Sequence, residues 1–265
     1  MLIDFHVHAF ADRIAERAVA KLMGVAKIDA ETNGTIAETR ERLRSWGVDR
    51  AVLLPVATKP SQQRTINDWA KAAEDALFVS FGSIHPDAAD RLEELAYIKQ
   101  IGLHGVKLHP DYQDFFAAEE KMFPIYETCA ALGLPIVFHA GFDPLSPEVV
   151  HGKPEDFAKI AAQFPALTII LAHLGGQLCW DAVEQHIVGR RNVYLDTAYT
   201  SRVLSDEQFL RIIRTHGADR ILFASDCPWD NAQTIYNRLR ALGLTEAEQS
   251  QIFYQNAERL LGAEG

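Results

Sequence analysis

Eight times along this chain a short apolar run of strand character gives way to a longer amphipathic stretch, and few folds accommodate that rhythm. The runs are Leu2–His8, Ala51–Pro55, Phe78–His85, Gly105–His109, Pro135–His139, Thr168–His173, Val193–Asp196 and Ile221–Asp226. Nearly unbroken Val, Ile, Leu and Phe suit strands buried on both faces, as in a parallel sheet. The amphipathic stretches between them include 37–46, 62–76, 88–100, 119–132, 155–164 and 206–216. Successive strand ends from His8 to Asp226 fall roughly 31 residues apart, near the size of one βα unit. Several helices end in Gly with a strand close behind, at Gly47, Gly102, Gly133 and Gly217, as expected where the residue past a helix turns left-handed.

With 265 residues, 48% of them hydrophobic, and no break in composition, the pattern predicts an α/β fold, a single-domain (β/α)8 TIM barrel. Periodicity alone also admits a doubly wound open sheet. The first interval is the outlier: an extra helical stretch near 13–22 and a polar linker through Thr32-Asn33-Gly34 make 9–35 either a partial lid inserted after strand one or a peripheral decoration. Residues 245–261 read as a closing helix with a capping sequence, Thr245-Glu246-Ala247-Glu248.

The formal net charge of −10 argues against nucleic acid and against a polybasic membrane anchor. No run approaches the ~18 apolar residues of a membrane span. The N-terminus lacks the plan of a signal peptide. Three scattered cysteines, Cys129, Cys179 and Cys227, suggest neither a disulfide framework nor a thiolate zinc site. The expected setting is cytoplasmic and the expected partner a small-molecule substrate; a homodimer is compatible with the sequence but not required by it.

In a parallel barrel every strand ends on the same face, so residues distant in sequence converge there. His6 and His8 lie two apart on one strand and should project the same way. His139, His173 and Asp226 close three further strands. Alone, a His-x-His pair or a strand-end His is more often structural than functional. Four strands delivering His or Asp at matching ends is a different matter. Nitrogen donors with one carboxylate suit Zn²⁺, and Mn²⁺, Fe²⁺, Co²⁺ or Ni²⁺ use similar sets.

The segments Asp4-Phe5-His6-Val7-His8, Val106-Lys107-Leu108-His109-Pro110, Phe138-His139-Ala140-Gly141, Leu171-Ala172-His173-Leu174-Gly175-Gly176 and Phe223-Ala224-Ser225-Asp226-Cys227-Pro228-Trp229 together resemble the amidohydrolase-related family. This is the branch of the amidohydrolase superfamily that includes aminocarboxymuconate-semialdehyde decarboxylase-like enzymes. Asn192–Thr197 and Asn256–Gly262 also match, so the likeness runs nearly end to end. It implies a metal held by His6, His8, His139 and Asp226, with His173 as general base or orienting group and Asp226 sharing the proton handling. The activity it implies is hydrolysis of an ester, lactone or amide by a metal-activated water, or else non-oxidative decarboxylation of an unsaturated or aromatic acid.

Lys107, in Lys-Leu-His-Pro, is similar to the lysine of the dihydroorotase Lys-Leu-Tyr-Pro stretch, which is carbamylated and bridges two metals. The expectation here is one ion, Zn²⁺ first and Mn²⁺ next, with Lys107 a cation facing a substrate carboxylate or Asp226. A bridging Lys107 would instead put His139 and His173 on a second ion. His109 shares the side-chain parity of Lys107 and is a candidate substrate contact. Rim candidates are Asp111, Tyr112, Phe142, Tyr199, Arg202 and Trp229. Arg202 would suit a carboxylate. His85 is expected in a turn, and His104, His151, His186 and His216 in loops or solvent. A phosphoesterase using Asp-x-His-x-His, and a catalytically silent metabolite-binding barrel, are the competing readings. The first lacks its usual late Asp-x-His, and the second would show a gap in the ligand set that is not visible.

Overall fold

The structure is a computed structural model that describes residues 1–262. Within them eight parallel strands run in chain order: β1 Ile3–Val7, β2 Arg50–Leu53, β3 Phe78–Ser80, β4 Val106–Leu108, β5 Ile136–Phe138, β6 Ile169–Leu171, β7 Val193–Asp196 and β8 Ile221–Leu222. β1–β2–β3 and β4 through β8 form two ladders. Backbone contacts join them at both seams. Between β3 and β4, Gly82 N donates to Gly105 O and Lys107 N to Gly82 O. Between β8 and β1, Phe5 N donates to Phe223 O, Asp226 N to His6 O and His8 N to Cys227 O. The sheet therefore closes into a barrel, and the open doubly wound alternative is excluded.

The outer helices are α1 Ala15–Ala26, α2 Ile36–Ser45, α3 Gln63–Ala72, α4 Arg91–Gln100, the one-turn α5 Pro110–Gln113, α6 Phe123–Leu132, α7 Pro154–Gln163, α8 Trp180–His186, α9 Asp206–His216, α10 Ala232–Ala241, α11 Glu246–Ser250 and α12 Asn256–Leu261. Their starts follow the sequence chemistry. Thr35, Ser205 and Asn231 cap α2, α9 and α10 through their side chains, and Thr245 with Glu248 completes a capping box on α11. Residues 251–255 form a π turn that joins α11 to α12, so the expected single closing helix is segmented.

Two buried clusters follow from the period-2 alternation of the strands. Ile3, Phe5, Val52, Leu54, Val79, Phe81, Val137, Ile170, Leu222 and Ala224 fill the barrel. The intervening residues, such as Leu53, Leu108, Phe138, Leu171 and Leu195, pack outward against Leu43, Ile98, Ile125, Phe157 and Ile212 of the helices. In β1 the register against β2 shifts between Asp4 and Val7. This irregularity resets the alternation, as a bulge does. Phe5 packs within the barrel, edge-on to Phe81, yet its neighbour His6 also reaches across the interior, to Asp196 of β7.

Segment 9–35 contains α1 and returns through Gly34, whose backbone approaches Val19 and Phe10 closely. Glu31 N donates to Pro228 O, which ties the segment to the chain just past β8. No helix among the described residues is long and apolar enough to cross a membrane.

His216 corrects an expectation. It is fully buried rather than in solvent. Its Nε2–H donates to Val193 O at 3.0 Å and its Nδ1 accepts Gly189 N–H at 3.3 Å, a pattern that one neutral tautomer satisfies. Burial holds its pKa down at about 4, against an ordinary 6.5. The unfolded chain therefore takes up a proton below pH 6.5 that the folded chain refuses until about pH 4. Stability should fall with acidification across that window, by up to about 1.4 kcal/mol per pH unit from this group. Urea denaturation of the metal-free protein between pH 7.5 and 4.5 should show a shallower decline in His216→Gln than in the wild type.

Candidate metal centre

The site lies where β1 meets β8. His6 and His8 leave the end of β1, and Asp226 follows β8. His6 Nε2 and His8 Nε2 are 3.1 Å apart, and Asp226 Oδ1 lies 3.4 and 3.3 Å from them. Proton accounting shows what this arrangement needs. His6 Nδ1 faces Asp196 Oδ2 at 2.8 Å, and His8 Nδ1 faces the Leu54 carbonyl at 2.9 Å. Those oxygens only accept, so each ring carries its proton on Nδ1 and turns a bare Nε2 inward. Burial lowers the pKa of both rings, that of His8 to about 3, so they stay neutral. Two bare imidazole nitrogens and one carboxyl oxygen thus converge. Ligands at ~2.0–2.1 Å from a tetrahedral ion stand roughly 3.3–3.5 Å apart, so the trio fits a divalent cation.

Burial also raises Asp226 to about 7 in the ion-free chain, despite the charge of Lys107 nearby. A cation that displaces its proton would relieve that penalty. Asp226 and His173 both adopt left-handed backbone, at φ 75° and 58°, which aims their side chains at the cost of local strain.

His139 stands apart from the trio. Its Nδ1 is 3.0 Å from His173 Nε2, while its Nε2 faces the Phe142 carbonyl at 3.3 Å. His173 Nδ1 donates to Ala198 O at 3.0 Å, so His173 Nε2 is bare. His139 consequently meets an acceptor on either side with one proton to give. If that proton goes to Phe142 O, His139 Nδ1 and His173 Nε2 are two further lone pairs side by side. The Lys107 ammonium is buried, 3.5 Å from His6 Nε2, and burial lowers its pKa to about 8.

A second group joins His139 to His109 and Asp143. Asp143 Oδ2 lies 3.6 Å from the Nε2 of each ring. His139, His109 and Tyr112 form a stack of near-parallel rings, with centroids 4.2 and 3.8 Å apart. The parity assigned to His109 is therefore matched in space. One rim candidate, Asp111, is placed differently from expectation. Asp111 turns away, its side chain buried and bonded to Ser146 and to His151 Nδ1, so it braces the loop after β5 rather than lining the rim. Exposed Arg202 lies over Tyr199 and donates to the Trp229 carbonyl at 3.3 Å, so these three rim candidates stand together. His85 accepts Asp87 N–H in a turn, as expected. Cys227 is buried, and burial pushes its thiol well above the ordinary range.

Two residues without an assigned role prove central. Asp196 accepts from His6 Nδ1, from His173 N at 2.9 Å and from Ala198 N at 3.0 Å, holding two site residues from one buried carboxylate. Its signal was available, since β7 ends in Asp as other strands end in His. Asp4 accepts from Ser225 N and His6 N, bracing the seam. Asp143 sits in a loop, with only its position four residues after His139 to mark it.

A closed eight-stranded barrel carrying a His, His and Asp cation site at the carboxyl ends of its strands defines a metal-dependent enzyme of the (β/α)8 class. The chain belongs to the amidohydrolase family, whose profile matches residues 3–263. It is 24% identical over 288 aligned positions to a γ-resorcylate decarboxylase from Polaromonas sp., covering 85% of this chain and 87% of that protein. The fold is that of 2,6-dihydroxybenzoate decarboxylase from Rhizobium, with 18% identity, a TM-score of 0.72, and 100% and 99% of the two chains covered. It is also that of a dihydroxybenzoic acid decarboxylase from Polaromonas sp. with bound manganese and the inhibitor 2-nitroresorcinol, with 18% identity, a TM-score of 0.67, and 100% and 97% covered.

Metal analysis tests the ligand set. Wild type is expected to carry about one divalent ion per chain; Asp226→Asn should lose it and His173→Asn keep it, measured by mass spectrometry of the purified variants. Asp196→Asn, which frees the His6 ring, should weaken metal affinity by about 10- to 100-fold in a competition titration with a chelator.

Proposed function

We propose that this enzyme is a non-oxidative decarboxylase of a planar, unsaturated or aromatic carboxylic acid. The observation that carries the reading is the column of stacked rings His139, His109 and Tyr112 beside the cation ligands, an aromatic array that a planar substrate can extend by stacking. The decarboxylases to which the chain is similar support it. His6, His8 and Asp226 would hold the ion, with His139 the adjoining fourth ligand. Mn²⁺ and Zn²⁺ both suit that donor set. Once bound, the ion would anchor and polarise the substrate's oxygen atoms.

The chain's own residues supply the rest. The Lys107 ammonium, buried among the ligands, attracts the substrate carboxylate and orients it. Removal from water destabilises that carboxylate relative to neutral CO₂. Breaking the C–C bond leaves the electron pair on the ring carbon and releases CO₂. His173, whose Nε2 is bare at rest, takes up a proton there from solvent and delivers it to that carbon. Its ring is held by Ala198 O on Nδ1, and its backbone by Asp196, with Trp180 Nε1 donating to its carbonyl, so Nε2 is the atom free to carry the proton.

The metal-loaded enzyme incubated in D₂O with a panel of hydroxylated benzoates should release one CO₂ per acid consumed. One deuterium should appear at the carbon that lost it, read by NMR. His173→Asn should slow the reaction by about 100-fold or more while keeping its ion. Acid production from esters or lactones with no CO₂ release would overturn the assignment.

One observation favours the hydrolytic reading instead. Lys107 Nζ is buried 3.5 Å from His6 Nε2, and its charge is felt at His139 as well, so a carbamylated Lys107 would add an anionic ligand that could serve a second ion. Two ions per chain, with one lost in Lys107→Ala, would establish that arrangement.

A further inference from the structure

Asp143 is a buried carboxylate that the proposed chemistry leaves idle. Its Oδ1 accepts Leu145 N–H at 2.7 Å. Among the described residues no protein donor reaches Oδ2, and the two nearest nitrogens, His109 Nε2 and His139 Nε2, are each 3.6 Å away. That exceeds the 2.7–3.2 Å of a real N–H···O bond. Asp143 as a whole is only 4% exposed, so little solvent is at hand to replace the missing donor.

The neighbours define what can stand in for that donor. His109 Nδ1 accepts Tyr112 N–H at 3.4 Å, so the neutral ring carries its proton on Nε2 and points a donor toward Asp143. A strong acceptor and a donor thus face each other across a gap too wide to close directly. A hydroxyl fits it, because one oxygen both donates and accepts: its O–H would go to Asp143 Oδ2 while its lone pair takes His109 Nε2–H. A carboxylate would be repelled, an ammonium would leave His109 unmet, and an apolar group would leave both unmet. The two walls are also held in place. His109 caps α5 and is stacked between His139 and Tyr112. The loop bearing Asp143 is pinned at its base by Gly141 N to Gly152 O, and in its body by Ser146 and His151 on Asp111.

We propose that Asp143 and His109 form a hydroxyl-recognition pocket one stacked ring away from His139, which selects substrates with a phenolic or enolic hydroxyl. This rests on the reading of the site as one that takes a planar acid.

The test is calorimetric titration of the metal-loaded enzyme with 2-nitroresorcinol, 2-nitrophenol and nitrobenzene, which differ by one hydroxyl at each step. Wild type should lose about 10- to 100-fold in affinity at one of those steps. In Asp143→Ala that step should shrink to within about threefold, with nitrobenzene affinity and metal content unchanged. Asp143→Asn, close to isosteric, should weaken the preference in the same direction and serves if the alanine variant does not fold. His109→Gln, which keeps a donor, should retain more of the preference than His109→Leu. A wild type indifferent to hydroxyl number, or an Asp143 variant that keeps the full preference, overturns the proposal. CO₂ release and metal content measured on the same preparations separate the two ideas: hydroxyl preference without decarboxylation removes the reaction assigned above and leaves the pocket.

Discussion

The closure of β1 against β8 is the constraint on which everything else rests. His6 O accepts Asp226 N–H, His8 N donates to Cys227 O, and Phe5 N donates to Phe223 O. The three side chains that could hold a cation come from the two strands this seam joins. Barrel closure and assembly of the cation site are therefore one event: a chain whose last strand is not yet seated on its first has His6 and His8 but no Asp226 beside them. Asp4 reinforces the seam from within, its carboxylate accepting both Ser225 N and His6 N, and burial raises its pKa to about 7. A carboxylate there is hard to desolvate, but it binds the ligand-bearing ends of both strands at once.

A second buried carboxylate, Asp196, extends the same logic across the barrel. It fixes the His6 ring on one side and the strained His173 backbone on the other. The placement of the His6 ring and of the His173 backbone is thereby set by one group. The partner of each nitrogen decides which tautomer exists. Asp196, Leu54 O and Ala198 O each hold a proton on Nδ1 of His6, His8 and His173, which leaves every Nε2 facing the centre bare. The fold prescribes the protonation pattern as firmly as it prescribes the positions.

Much of this was legible in the sequence, and for a physical reason. Strands buried on both faces need unbroken apolar runs, so a polar residue at the end of such a run stands out. His6, His8, His139, His173 and Asp226 were found that way, and the βα rhythm gave the barrel with its strands displaced by few residues. What the sequence hid depends on contacts between distant segments. The register shift in β1, which lets Phe5 and His6 serve the same interior, depends on pairing with β2. The burial of His216 depends on β7 and the loop at Gly189. Asp143 lies in a loop, where no periodicity marks which side chains turn inward. The parting of His139 from the trio is likewise a matter of side-chain rotation, since its place at the end of β5 is compatible with either group.

The ion-free site is a local energetic deficit that the surrounding fold must offset. Lone pairs of His6, His8 and Asp226 face one another, and His139 meets acceptors on both sides. Each unmatched buried acceptor costs about 1–3 kcal/mol. Two apolar clusters, inside the barrel and beneath the helices, hold the strand ends together regardless. That arrangement is the opposite of a small metal-dependent fold, in which the ion organises the chain. Here the core imposes the site, and binding a cation relieves a strain already built in. The same reasoning explains why strained backbone at His173 and Asp226 can survive at the strand ends: their conformations are enforced by the barrel beneath them.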